Sequence, residues 1–246
     1  MFKILVIGEK CIDKFMYCDV SRFSPEAPVP VLNPIEIVEN DGMSGNVVRN
    51  ILAMKSDSLV SHWCQDEIIT KTRFVEKKSN HMFLRLDDGE TNISKVELID
   101  ERIQELGHFN IVIVSDYDKG FMTNDDLLTI GKNSKISILD SKRKLSKEIV
   151  SSFTFVKLNE KESLQNSDLL GCKNILVTLG SKGTKFNDEV YPSPNPQETI
   201  DVSGAGDTFT SAFILKYLET GDIKTSIIYA NEMSSIVVSK RGVATP

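Results

Sequence analysis

The stretch Asp201-Val-Ser-Gly-Ala-Gly-Asp-Thr-Phe209 leads into a strongly apolar run. Two glycines around one small residue let the backbone turn tightly. At the start of a helix such a turn leaves successive N–H groups uncovered, and these donors together with the helix dipole favour an anion. Gly204, Ala205 and Gly206 are therefore candidates for an anion hole. Asp207, placed beside them, could take a proton from an attacking hydroxyl. Phosphoryl transfer needs little beyond such a base, positioning, and stabilisation of charge on the transferred group. Taken alone, Gly-x-Gly-Asp also fits an ordinary glycine turn with the aspartate opening a helix. A dinucleotide fingerprint does not fit, because Gly-x-Gly-x-x-Gly spacing is lacking.

Other polar residues follow apolar runs: Asp13, Asp116 with Lys119, Asp140 with Lys142, Asn159 with Glu162, and Thr178 with Gly180. Each by itself is an ordinary loop residue. Their recurrence at one end of several strands is the signal. The run Lys3 to Gly8 predicts a first buried strand. Further strands are predicted at 58–63, 69–75, 82–86, 109–115, 136–140, 153–158 and 174–178, and helices at 46–54, 96–106, 124–132, 160–170, 205–219 and 223–239. Strands alternating with helices predict parallel βαβ units and a doubly wound, mostly parallel α/β sheet. Ligands bind beyond the carboxyl ends of such strands. The segment 15–38 carries Pro25, Pro28, Pro30 and Pro34, which belong on edges or bends, so it predicts a small half-exposed sheet beside the main one.

A net charge of −6 and the lack of a basic stripe argue against a nucleic-acid partner. No apolar run approaches the roughly 20 residues of a membrane span. The first ten residues read as a strand rather than a signal peptide, since no small-residue cleavage site follows them. Cys11, Cys18, Cys64 and Cys172 form no Cys-x-x-Cys and the histidines are scattered. That pattern argues against structural zinc and fits reduced thiols in the cytoplasm. The expectation is one domain over 1–246.

Asp201-x-x-Gly-Ala-Gly-Asp-Thr resembles the second signature of the ribokinase-like (PfkB) carbohydrate kinases. Ser21-Arg-Phe-Ser-Pro-Glu-Ala-Pro-Val-Pro-Val31, Phe83-Leu-Arg-Leu-Asp87 and Val114-Ser-Asp-Tyr-Asp-Lys-Gly120 are similar to segments of one subgroup, the D-glycero-β-D-manno-heptose-7-phosphate kinase domain of the bifunctional ADP-heptose synthesis protein. The resemblance covers nearly the whole chain in order. It implies a β-lid at about 14–39 and 69–88, and ATP with Mg²⁺ as phosphoryl donor. On the sugar side it implies Asp13, Gly42 and Asn46. Asn159 and Glu162 would help to place Mg²⁺ and phosphate. Thr178, Gly180, Gly183 and Asn231 would border the nucleotide, with Asp207 as base. Asp201 and Ser203 match positions that bind a monovalent cation such as K⁺ in related kinases. It also implies a homodimer formed through the lid, which would cover Val29, Val31 and Ile35. Lys119 and Arg85 are assigned from charge, because a substrate that already carries a phosphate needs a cationic clamp; Arg22 is a further candidate, and Asp116 lies in the same segment as Lys119.

Three departures bear on substrate and activity. Met43 stands where the first signature usually has a second glycine, and a stretch that usually precedes the Arg-Leu-Asp region is missing around Met54 to Ile69. Leu158 and Lys157 stand where proline and threonine usually precede the asparagine of Asn-x-x-Glu. The readings carried forward are a heptose 7-phosphate kinase acting at O1, a kinase for another sugar or sugar phosphate, and a shortened binding module of weak activity.

Overall fold

The computed structural model describes residues 1–169, 171–194, 204–240 and 244–246. Its strands are β1 (Lys3–Gly8), β2 (Lys10–Asp19), β3 (Asn33–Met43), β4 (Leu59–Trp63), β5 (Thr70–Glu76), β6 (Met82–Asp88), β7 (Ile111–Asp116), β8 (Ser137–Ser141), β9 (Phe155–Asn159), β10 (Ile175–Thr178), β11 (Thr184–Phe186) and β12 (Glu189–Tyr191). Its helices are α1 (Ser44–Met54), α2 (Asp100–Leu106), α3 (Asn124–Asn133), α4 (Lys147–Ser152), α5 (Glu160–Gln165), α6 (Ala205–Thr220) and α7 (Ile223–Val238). The main sheet runs β12-β11-β10-β9-β8-β7-β1-β4, parallel from β10 to β4, with β11 and β12 added antiparallel.

Side chains alternate across a strand, so an unbroken apolar run serves two cores at once. Ile4, Val6, Ile111, Ile113, Ile138 and Phe155 pack against α1, α6 and α7 through Val47, Ile51, Phe213 and Ile227. Their neighbours Leu5, Ile7, Val112, Val114, Leu139 and Val156 pack on the other face against Leu106, Leu127, Ile130 and Ile149 of α2, α3 and α4. This is the doubly wound layering expected from the alternation of strands and helices.

The second sheet has the order β3-β2-β5-β6. Pro25, Pro28 and Pro30 fall in the loop between β2 and β3, and Pro34 lies at the irregular end of that pairing. Register gives its two faces different characters. One carries the rows Asn40–Asp13–Lys71–Asp87 and Val38–Phe15–Arg73–Arg85. The other carries Ile37–Met16–Phe74–Leu84.

Three local expectations change. The helix expected over 96–106 starts only at Asp100, because the Val96 N–H is bonded to the Phe121 carbonyl and Val96 itself is buried in the core. The helix expected over 160–170 closes at Gln165 and continues as a short 3₁₀ turn. The six-residue helix α4 and the three-residue strands β11 and β12 are too short to give a period, and the sequence reading lacks them.

Candidate active site

Helix α6 begins on the Gly-Ala-Gly turn. Gly204 caps it at φ 80°, a left-handed conformation that a side chain would make costly. The first N–H groups of a helix have no partner within it. Residues 204–207 line a cavity of about 600 Å³, together with Lys142, Lys157, Asn159, Thr178, Gly180, Gly183 and Asn231. The anion-hole and nucleotide-side residues expected from sequence thus share one cavity.

Asp207 is buried at its inner end, 6% exposed. Asn46 of α1 donates from Nδ2 to one carboxylate oxygen at 2.8 Å. Tyr117, just after β7, donates its hydroxyl to the other at 3.2 Å. Burial raises the pKa of Asp207 from 3.8 to about 6; the Asn46 hydrogen bond opposes this, the Asp140 charge adds to it, and Lys157 and Lys142 oppose it. Such a carboxylate is ionised at neutral pH and still basic enough to accept a proton in a transition state.

Cationic groups gather on the cavity side of Asp207. Lys157 lies within the buried strand β9 and donates to Asp140 at 2.9 Å. A Cβ on Gly206 would stand 2.9 Å from the Lys157 ammonium, so glycine there lets the charge approach the first turn of α6. Lys142 donates to Glu162 at 2.7 Å. Glu162 in turn closes a capping box with Asn159: its carboxylate accepts from the Asn159 backbone and side chain, each at 2.7 Å, and its own N–H donates to Asn159 at 2.8 Å. Asn159 and Glu162 therefore set the start of α5 and the position of Lys142.

Among the residues expected to border the nucleotide, Thr178 ends β10, Gly180 opens a 3₁₀ turn at φ 60° and Gly183 follows it at φ 94°. Asn231 of α7 accepts from Thr184 at 2.7 Å and donates to the Tyr191 carbonyl at 2.9 Å, which ties α7 to β11 and β12.

The other side of Asp207 faces the second sheet. Asp13 is buried and ion-paired with Arg73, whose guanidinium lies over Phe15, 4.9 Å from the ring centroid. Gly42 leaves no room for a side chain between the Asp13 carboxylate and the Cys11 sulfur. Asn46 reaches Asp207 with its amide nitrogen, while its oxygen accepts from Arg49 and Asn50, each at 3.1 Å.

The other expected residues that the structure describes do not line this cavity. Asp116 is closed by Arg143 (2.6 and 2.7 Å) and Ser141 (2.5 Å), and so fixes a loop. Arg85 is half exposed and paired with Asp87 at 2.7 and 2.8 Å. Lys119 donates to Glu90 at 2.5 Å. Asp201 and Ser203 lie outside the described residues.

Sequence reasoning assigned no role to Tyr117, Lys157, Arg73 or Glu9. A lysine inside the otherwise apolar Phe155-Val-Lys-Leu158 was the available signal for Lys157. Glu9 has no exposed surface, and its two oxygens accept the N–H groups of Tyr117 and Lys119, each at 2.9 Å. Only folding shows that this carboxylate holds the loop carrying Tyr117.

Residues 60–246 match the model of a family described as pfkB family carbohydrate kinase. The chain belongs to that family. Bifunctional protein HldE of Desulfatibacillum aliphaticivorans is 27% identical over 304 aligned residues, covering 99% of this chain and 61% of the relative. The chain thus spans less than two thirds of that relative's length. The alignment is longer than the 246 residues here, so the relative carries insertions against it. Ribokinase from Thermotoga maritima superposes with a TM-score of 0.76 at 19% identity, covering 99% of this chain and 95% of that one. Arabidopsis thaliana ribokinase complexed with ribose and ATP gives a TM-score of 0.71 at 16% identity, with 98% and 94% covered. The fold is ribokinase-like, and family membership makes the chain a sugar kinase, a phosphotransferase with an alcohol acceptor.

Proposed function

We propose that the chain transfers the γ-phosphoryl group of ATP to O1 of D-glycero-β-D-manno-heptose 7-phosphate. The observation that carries the reaction is the place of Asp207. It is buried, held by Asn46 and Tyr117, and stands between a cavity lined by lysines and a helix N-terminus on one side and the Asp13 face of the second sheet on the other. Asp207 accepts the O1 proton as O1 bonds to the γ-phosphorus. The bond from that phosphorus to the β–γ bridging oxygen breaks, and ADP leaves. Lys157, Lys142 and the first-turn N–H groups of α6 stabilise the charge on the transferred group in a site where such interactions are strong.

Magnesium would come with the nucleotide. Among the described residues no three Asp, Glu, His or Cys side chains group to chelate an ion. The Oδ1 atom of Asp140, a cavity-lining residue, is buried without a hydrogen-bond partner and would be an acceptor for a water of the hydrated ion. Asn159 and Glu162 would act from further out, through Lys142. A need for ATP supports a cytoplasmic location.

The choice of heptose 7-phosphate rests on the segments 21–31, 83–87 and 114–120 and on the likeness to bifunctional protein HldE. ADP release over a panel of sugars tests it. Turnover on heptose 7-phosphate well above that on ribose, fructose and their phosphates is expected; strong activity on one of those and none on heptose 7-phosphate would reject it.

Met43 favours a second reading, a sugar-binding module of low activity. It holds φ 54° and ψ −132° at the junction of β3 and α1, a region suited to glycine. Calorimetric sugar binding with no ADP formed on any sugar would establish that reading.

We also propose that two copies pair through the second sheet. Its outer face exposes Ile37 at 52%, Leu84 at 57% and Leu86 at 53%, an apolar surface that pairing would cover. A monomer by light scattering at micromolar concentration would reject pairing.

A further inference from the structure

Two lysines from different elements converge on one carboxylate at the sugar end of the site. Lys71 of β5 donates to Glu90 at 2.6 Å, and Lys119, from the loop after β7, donates to the other oxygen of Glu90 at 2.5 Å. Lys71 is 7% exposed and stands opposite Asp13 in the β2–β5 register. The Cys11 thiol, pushed up to about 12 chiefly by burial, lies 4.0 Å from the Asp13 carboxylate and packs against Tyr117. Lys119 follows Tyr117 by two residues, at most about 7 Å of extended backbone, and Tyr117 touches Asp207.

The other charges on this face are already matched. Arg73 is paired with Asp13, and Arg85 with Asp87. Asp87 also comes within 3.6 Å of Lys71. Glu90 is the remaining partner of the two lysines and belongs to no helix or strand. Its segment follows Gly89 (φ 76°) and is anchored further on by Ser94 to Glu67 and by Val96 to Phe121. About one fifth of the Glu90 side chain meets solvent, so the carboxylate can swing outward without unpacking a core.

We propose that Lys71 and Lys119 form the seat for a phosphate on the sugar substrate, and that Glu90 fills this seat until the phosphate displaces it. The inference rests on the sugar-phosphate reading above and adds which residues select for it. A phosphate monoester carries up to two charges and three acceptor oxygens, against one charge and two oxygens for a carboxylate. It therefore wins the lysines, whereas a neutral sugar has nothing with which to displace Glu90. The displaced carboxylate turns to water beside the bound sugar. Burial works against ionisation of Glu90, but the hydrogen bonds from Lys119 and Lys71 hold its carboxyl below the usual range, so it occupies the seat as an anion at neutral pH.

Two variants with opposite expected signs test this, with the full chain and heptose 7-phosphate as probe. Lys71→Met should raise KM about tenfold to hundredfold, the scale of one lost charged hydrogen bond, with the loss falling on KM more than on kcat. Glu90→Gln should lower KM severalfold, because the seat is no longer occupied. A rise or no change in KM for Glu90→Gln would overturn the displacement. An unchanged KM for Lys71→Met would overturn the seat.

If wild type does not phosphorylate heptose 7-phosphate, the substrate reading fails separately. The seat is then read by calorimetry with ribose 5-phosphate against ribose and fructose 6-phosphate against fructose. Tighter binding of each phosphate, lost in Lys71→Met and gained in Glu90→Gln, supports the seat; equal binding of sugar and sugar phosphate overturns it.

Discussion

Replacing Asp207 by Asn separates the catalytic role proposed for it from its structural cost, because the two point in opposite directions. The carboxyl is buried and its pKa rises from 3.8 to about 6 on folding. A carboxyl raised in this way binds its proton more tightly in the folded state than in the unfolded chain, so protonation favours folding. That contribution is complete below about pH 4 and is lost as the pH climbs through about 6. By pH 8 the ionised group costs about 3 kcal/mol, the equivalent of the rise in pKa. Asparagine bears no such cost, and its amide can still meet Asn46 and Tyr117. Asp207→Asn should therefore be more stable at pH 8, with Tm higher by roughly 6–12 °C for a chain of this size, and the gain should vanish near pH 4. Activity moves the other way: kcat should fall about 10²–10⁴-fold with loss of the base, while nucleotide binding persists. In the wild type, kcat/KM should fall about tenfold per pH unit below 6. Scanning calorimetry at pH 4 and 8 and coupled ADP assays make the measurements. A variant retaining activity within tenfold of wild type, or one less stable at pH 8, would refute the reasoning.

Lys157→Met should destabilise the chain by about 3–5 kcal/mol, because it leaves the buried Asp140 charge without its ion-pair partner; adding Asp140→Leu should restore most of that in urea unfolding without restoring turnover. Glu9→Gln replaces an acceptor of two N–H groups by a side chain with one acceptor, so the Tyr117 loop should loosen and kcat fall about tenfold to hundredfold with the circular dichroism spectrum unchanged; a wild-type kcat would show that Glu9 is dispensable. Met43→Gly relieves backbone strain of about 1–3 kcal/mol but gives up a side chain packed on Cys11 and Ile69, typically about 2–5 kcal/mol. A net loss near 1–2 kcal/mol is expected, and a gain in Tm would show that the strain outweighs the packing.

The sequence by itself determined the layering and the motif. Unbroken apolar runs such as Ile4–Ile7 and Ile111–Val114 call for cover on both faces, and the glycines of Gly204-Ala-Gly-Asp207 permit a tight turn onto a helix that side chains would resist. Both are local properties of residue type and spacing, and for that reason they were legible. The shortened helix at Asp100, the brief hairpin β11–β12 and the helix α4 depend on contacts with distant segments or fall below the length of a period.

The tertiary structure decided which polar residues meet. Asn46 and Tyr117 lie 161 and 90 positions from the aspartate they hold. Lys157 was hidden in an apolar strand, and Asp116, promising in sequence, is closed off by Arg143 27 residues later. Hydrogen bonds and ion pairs act over a few ångströms in space and are indifferent to separation along the chain. Residue order can therefore specify the turn that presents Asp207, but only the packing of α1, β7 and β9 around it raises its pKa and surrounds it with the groups of a kinase site.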